Sequence, residues 1–292
     1  MDRYKKVIDE SQVPVDKEFI NVELEKIKEK VNLLKTPEVY AKILNCIDLT
    51  TLNTTDSQES VFKFVNRVND FDNDYPQFAN VAALCVFSNF SGIARSALDV
   101  TGVRIAVVAG GFPSGQTFTA VKVADSALAV AEGADEVDVV MNLGMLLEGN
   151  YEELCDELIE VKHSIKDAHM KVIIESGALT PEFIRNASIL AIYSEADFIK
   201  TSTGKVYAGA SPEAAYIMCR CIKEYYEKTG KKVGFKAAGG VRTTEDALLY
   251  YAIVKDVLGE EWLNNELFRI GASSLANNIL SDMLNERDIK YF

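Results

Sequence analysis

Histidine is almost missing from this 292-residue chain. His163 and His169 are the only two, which leaves no material for a His-rich metal site. Basic residues are also in deficit, with 31 Lys and Arg against 44 Asp and Glu and a formal net charge of −13. That balance excludes nucleic-acid binding through a general basic face, though not a small basic pocket for one phosphate. No apolar stretch approaches the roughly 20 residues needed to span a bilayer. Met1-Asp2-Arg3-Tyr4-Lys5-Lys6 has charges but no apolar signal core behind them. A cytoplasmic protein that engages neither membrane nor nucleic acid is the expectation. The five cysteines, Cys46, Cys85, Cys155, Cys219 and Cys221, are odd in number and lack framework spacing, so they read as reduced core thiols.

What is present suits a folded enzyme. Hydrophobic residues make up 48% of the chain and charged residues 26%, enough apolar material for a core. Residues 1–40 read as a helical extension, with Glu18–Leu34 charge-rich and carrying Ile20, Val22, Leu24, Ile27, Val31 and Leu34. This segment could cap a barrel, cover a neighbouring surface or form an arm. From residue 41 to 287 short β-rich runs alternate with longer helical ones. Strands are predicted at Leu44–Asp48, Asn80–Phe87, Arg104–Gly110, Glu136–Met141, Lys171–Glu175, Phe198–Thr203, Val233–Ala237 and Phe268–Ala272. Helices are predicted at Thr117–Glu132, Tyr151–Asp167, Pro181–Glu195, Pro212–Lys228, Thr244–Leu258 and Leu275–Glu286. Thr180-Pro181 and Ser211-Pro212 each set a capping hydroxyl before a proline at the first helical position.

Eight such units leave a closed barrel or an open doubly wound sheet. The first strand runs into Asp48-Leu49-Thr50-Thr51-Leu52 and not into Gly-x-Gly-x-x-Gly, which argues against a dinucleotide fold. The length fits one TIM (β/α)8 barrel of about 250 residues. A short tail, 288–292, follows it.

In such a barrel the chemistry gathers at the carboxyl ends of the strands. Strand residues alternate faces, and an outer face covered by helices should be apolar. Ile199 outward therefore puts Lys200 inward, and Phe235 outward puts Lys236 inward. Asp138 can point inward by the same alternation. Neighbouring ammonium groups repel, so at least one lysine should lose its proton easily. A neutral amine can attack a carbonyl, the requirement for Schiff-base chemistry, and Asp138 could relay protons through a water. A single buried Lys–Asp pair would more simply be a satisfied ion pair; two lysines at matching strand ends favour catalysis. Thr203-Gly204-Lys205, Gly239-Gly240-Val241-Arg242 and Gly271-Ala272-Ser273-Ser274 follow the last three strands. Their backbone amides, the hydroxyls of Ser273 and Ser274, and Lys205 or Arg242 suit a phosphate.

At these residues the sequence resembles the deoxyribose-phosphate aldolase family. The matching segments include Gly133-Ala134-Asp135-Glu136-Val137-Asp138, Asp197-Phe198-Ile199-Lys200-Thr201-Ser202-Thr203-Gly204 and Gly234-Phe235-Lys236-Ala237-Ala238-Gly239-Gly240-Val241-Arg242. The resemblance runs from about residue 40 to 280 in the right order. It implies reversible cleavage of 2-deoxyribose 5-phosphate to acetaldehyde and glyceraldehyde 3-phosphate, without metal or organic cofactor. It further implies that Lys200 forms the Schiff base, Lys236 lowers its pKa and Asp138 relays protons. Asp48 and Cys85 would line the substrate end, and Thr203, Gly204, Lys205, Gly239, Gly240, Ser273 and Ser274 would surround the phosphate. Ala237 stands where the family carries proline, which should leave that loop freer. The family's tail ends in a tyrosine that assists proton transfer; here Tyr291 is penultimate and is the candidate for that role. A homodimer is expected. The competing readings are another barrel enzyme with a lysine and a phosphate site, or a barrel with weak or lost aldolase activity that mainly binds a protein partner.

Overall fold

The protein's computed structural model describes residues 3–292. Among them eight parallel strands close into a barrel in sequence order, β1 pairing with both β2 and β8. They are β1 (Ile47–Thr50), β2 (Ala83–Phe87), β3 (Arg104–Ala109), β4 (Glu136–Val140), β5 (His169–Ile173), β6 (Phe198–Lys200), β7 (Gly234–Ala238) and β8 (Phe268–Ala272). The helices are α1 (Arg3–Asp9), α2 (Lys17–Val31), α3 (Pro37–Asn45), α4 (Gln58–Asp74), α5 (Ser91–Ala97), α6 (Thr119–Ala131), α7 (Leu143–Glu148), α8 (Tyr151–Ile165), α9 (Pro181–Tyr193), α10 (Pro212–Thr229), α11 (Thr244–Val257) and α12 (Leu275–Leu284).

The alternation read from the sequence sorts the barrel. Leu49, Leu84, Val107, Val137, Val172, Ile199, Phe235 and Ile270 point outward into one continuous apolar core beneath the helices. Burying each such side chain stabilises the fold by roughly 1.5–3 kcal/mol. The inward positions differ by sector. Ala83, Cys85, Ala106 and Val108 form a small apolar cluster with Leu52, while Asp48, Glu136, Asp138, Lys171, Lys200, Lys236 and Arg269 are buried and charged.

Helix starts follow the capping chemistry. Thr180 accepts from the Phe183 amide and Ser211 from that of Ala214, each followed by proline. The same signal at Thr36-Pro37 starts α3, which was not expected. Because α3 runs to Asn45, the first strand begins at Ile47 instead of Leu44, and the predicted boundary at residue 40 falls inside a helix. Strand β6 ends at Lys200, short of Thr203, because the Thr201 hydroxyl turns onto the Ala238 carbonyl at 3.0 Å. Ala237 lies within β7, paired with Ile270 and fully buried, so it loosens no loop.

The N-terminal segment, whose first two residues lie outside the described ones, runs along the outer helices. α1 packs on α8 and α9, and α2 packs on α10 and α11 through buried Ile20, Leu24 and Ile27. Between them Ser11 and the Gln12 amide donate to the Glu224 carboxylate of α10 at 2.9 and 2.8 Å.

Candidate active site

Lys200 and Lys236 are direct register partners on β6 and β7. Both reach the same oxygen, Oδ2 of Asp138 on β4, at 2.7 Å. Lys236 also donates to Asp48 on β1. The two lysines therefore differ in counter-ions: Lys236 has two carboxylates, and Lys200 shares one.

Electrostatics follows that difference. Burial lowers the pKa of Lys200; the Asp138 carboxylate opposes this, but the Lys236 charge reinforces it, and the net shift is down. Burial would lower Lys236 too, yet Asp138 and Asp48 outweigh it and hold it charged above the usual lysine range. Burial alone would raise Asp138; the surrounding Lys171, Lys200 and Lys236 instead hold its carboxyl far below the ordinary carboxylate range. The arrangement supplies an amine that gives up its proton easily, beside a fixed ammonium and a fixed carboxylate.

Lys200 is also accessible to a small molecule. It lines a cavity of about 250 Å³ at the carboxyl ends of the strands. Thr203, Gly204, Lys205, Gly239, Gly240, Ser273 and Ser274 line the same cavity, with Arg242. All the residues expected around a phosphate are thus brought together. The close approach of two loops makes this possible: a Cβ at Gly209 would sit 2.0 Å from the Gly239 oxygen, and Gly239 itself has φ +83°. Lys205 ties the rim together by donating to the Leu52 carbonyl at 2.5 Å.

Three expected site residues lie elsewhere. Asp48 does not line the cavity; it is fully buried, engaged by Lys236 and by Arg269 Nη1 at 2.6 Å. Cys85 is enclosed in the apolar cluster with Leu52, Ala83, Ala106 and Val108, near enough to sense the charges of Lys236, Asp138 and Lys200. Burial raises its thiol pKa, so it is no resident thiolate. Tyr291 is not brought to the mouth at all. Its hydroxyl donates to Asp74 at 2.8 Å, at the end of α4 that returns to the amino-terminal side of the barrel.

Several buried groups escaped the sequence reading. Lys171 donates to Asp138 Oδ1 at 3.1 Å and to Glu136, and Arg269 bridges Glu136 and Asp48. Alternation could have found both: Val172 outward implies Lys171 inward, and Phe268 and Ile270 outward imply Arg269 inward. Glu175 accepts from the Thr203 amide at 3.1 Å and from its hydroxyl at 2.5 Å, fixing the loop after β6. It does so from a left-handed backbone, φ 49°, which no sequence pattern announces.

Comparison with known proteins places the chain in a family. The DeoC/LacD family aldolase pattern matches residues 42–278. A Caenorhabditis elegans relative is 40% identical over 277 residues, covering 92% of this chain and 91% of its own. The deoxyribose-phosphate aldolase of Homo sapiens is 39% identical over 249 residues, covering 82% of this chain and 78% of its own. Among solved structures, the deoxyribose phosphate aldolase of Aeropyrum pernix superposes with a TM-score of 0.65 at 25% identity, covering 87% of this chain and 96% of that one. The chain belongs to the DeoC/LacD aldolase family, with deoxyribose-phosphate aldolases among its relatives, and is a carbon–carbon lyase.

Proposed function

We propose that the protein cleaves 2-deoxy-D-ribose 5-phosphate reversibly to acetaldehyde and D-glyceraldehyde 3-phosphate through a Schiff base on Lys200. One observation carries this reading: Lys200 lines the cavity while sharing its carboxylate partner, Asp138, with a charged lysine. The unprotonated amine adds to the C1 aldehyde of the open-chain sugar, and loss of water leaves the imine. The C3 hydroxyl gives up its proton, the C2–C3 electron pair flows into the imine, and glyceraldehyde 3-phosphate departs from the resulting enamine. A proton returns to the enamine carbon, and water then hydrolyses the imine to release acetaldehyde. Asp138 and the Lys236 ammonium, 2.7 Å apart, would pass protons to and from a water in these steps. The phosphate would sit against the Gly239-Gly240 amides and the Ser273–Ser274 turn before α12.

A cytoplasmic setting and a homodimer belong to the same reading. The five free, buried cysteines suit a reducing compartment, and sedimentation would give the assembly. A barrel reduced to binding a protein partner has no need to keep Lys200 open to a cavity, so that alternative is disfavoured.

The test is borohydride trapping with acetaldehyde followed by peptide mass spectrometry. An ethyl adduct on Lys200 supports the reading. Folded protein that gives no adduct overturns it.

A further inference from the structure

Beneath Lys200 and Lys236 the barrel holds a layer of charge that the bond-making steps never touch. Lys171 on β5 contacts Asp138 at 3.1 Å, Asp48 at 3.6 Å and Glu136. Arg269 on β8 contacts Asp48 at 2.6 Å and Glu136 at 2.9 Å. Among the described residues this buried cluster holds four cationic side chains, Lys171, Lys200, Lys236 and Arg269, and three carboxylates, Asp48, Glu136 and Asp138. Fully charged it would carry 4 − 3 = +1. Arg104 lies outside the count; its side chain is 30% exposed and Glu266 holds it at the surface at 2.6 and 2.7 Å.

An unbalanced charge in a buried cluster is costly, so the cluster favours the state in which one cation gives up its proton. Arginine does not. Lys171 touches three carboxylates and Lys236 two, whereas Lys200 touches one and shares it. Lys200 is therefore the group that neutralises.

We propose that Lys171 is a positioning residue for imine formation, holding Asp138 by Oδ1 and supplying the buried positive charge that makes the proton on Lys200 the surplus one. The inference rests on Lys200 as the imine-forming lysine. Every group facing Lys171 is consistent with this role: Glu136 and Asp138 from β4, Asp48 from β1, Lys236 from β7, and the Phe198 ring of β6 at 5.9 Å. Lys200 faces Asp138, Lys236 and the Cys85 thiol of β2. Glu136 is also approached by Arg104 at 3.1 Å and His169 at 3.7 Å.

The test is the pH dependence of acetaldehyde trapping on Lys200 in four proteins: the parent, Lys171→Met, Glu136→Gln and the double variant. Lys171→Met leaves three cations on three carboxylates, balanced only when Lys200 is charged. Its trapping midpoint should rise by about one pH unit or more, and trapping near neutrality should fall about tenfold per unit. Glu136→Gln leaves four cations on two carboxylates, so the midpoint should fall. The double variant leaves three on two, balanced again with Lys200 neutral, and its midpoint should return to within about half a unit of the parent. If Lys171→Met does not fold, the step from Glu136→Gln to the double variant removes the same charge and must raise the midpoint. A midpoint unmoved by loss of Lys171 in either background, with adducts still forming, overturns the proposal. No adduct in the parent at any pH is a separate failure, that of the Schiff-base reading itself.

Discussion

Lys122 on α6 and Lys200 on β6 are both enclosed, one outside the barrel wall and one inside it. The Lys122 ammonium sits between α6, α8 and β4, donating to Glu157 at 2.6 Å and to the Val140 carbonyl at 2.9 Å. Burial lowers the pKa of both lysines, so a depressed pKa does not tell them apart. Counter-ions and access do. Among the described residues the Lys122 carboxylate partner answers no other lysine, and Lys122 does not line the mouth cavity. Lys200 shares Asp138 with Lys171 and Lys236 and opens onto that cavity. On the proposed reading a buried lysine becomes a nucleophile where its counter-ion is contested and a carbonyl can reach it; elsewhere it is an ion pair that holds a helix to a strand.

Substitution of the two lysines should divide activity from stability. Lys200→Ala should lose turnover and the trapped adduct by several orders of magnitude, because no other group at the mouth is a poised amine. Lys122→Met should keep the adduct on Lys200 with turnover within a few-fold, yet lose about 3–5 kcal/mol of stability as the buried Glu157 carboxylate loses its cation and keeps the Thr119 hydroxyl at 3.1 Å. Trapping yield and denaturant unfolding of both variants check this. Substantial turnover in Lys200→Ala would break the comparison, as would loss of adduct in folded Lys122→Met.

Lys236→Leu sharpens it from inside the cluster. The Lys236 charge helps to lower the pKa of Lys200, so removing it raises that pKa. An amine reacts when unprotonated, so the rising limb of imine formation should move to higher pH by about one unit or more. Acetaldehyde trapping followed across pH in folded protein reads this directly. An unmoved limb would show that burial alone depresses Lys200.

Much of this architecture was legible because it rests on two periodic signals. Alternation placed Lys200, Lys236 and Asp138 inside, and strand–helix repetition gave the barrel. The same alternation, applied to Lys171 in the middle of β5 and to Arg269 near the start of β8, exposes the lower charge layer; neither stands at the carboxyl ends of the strands, where barrel chemistry gathers. Asp48 was legible as inward but not as a counter-ion, since its partners Lys236 and Arg269 are remote in sequence. Where the tail would lie was not legible, because five residues without periodicity take their place from whatever surface they meet.

That surface gives the smallest predicted effect. The Tyr291 ring packs edge-on against Phe71 and Tyr75 with centroids 5.7 and 5.2 Å apart. The Tyr291 and Phe292 amides both donate to Asn277 at 2.9 Å. These contacts hold the tail against α4 and α12. Tyr291→Phe keeps the ring contacts and loses one hydrogen bond to Asp74, so stability should fall by about 0.5–1.5 kcal/mol. Proton exchange at the acetaldehyde carbon, followed by NMR in deuterated water, should stay within twofold, because the hydroxyl lies at the opposite end of the barrel from Lys200. Exchange slowed tenfold would mean that the tail leaves α4 during turnover. The tyrosine would then join Lys200 on the catalytic side, and the contrast between the two ends of the barrel would hold only at rest.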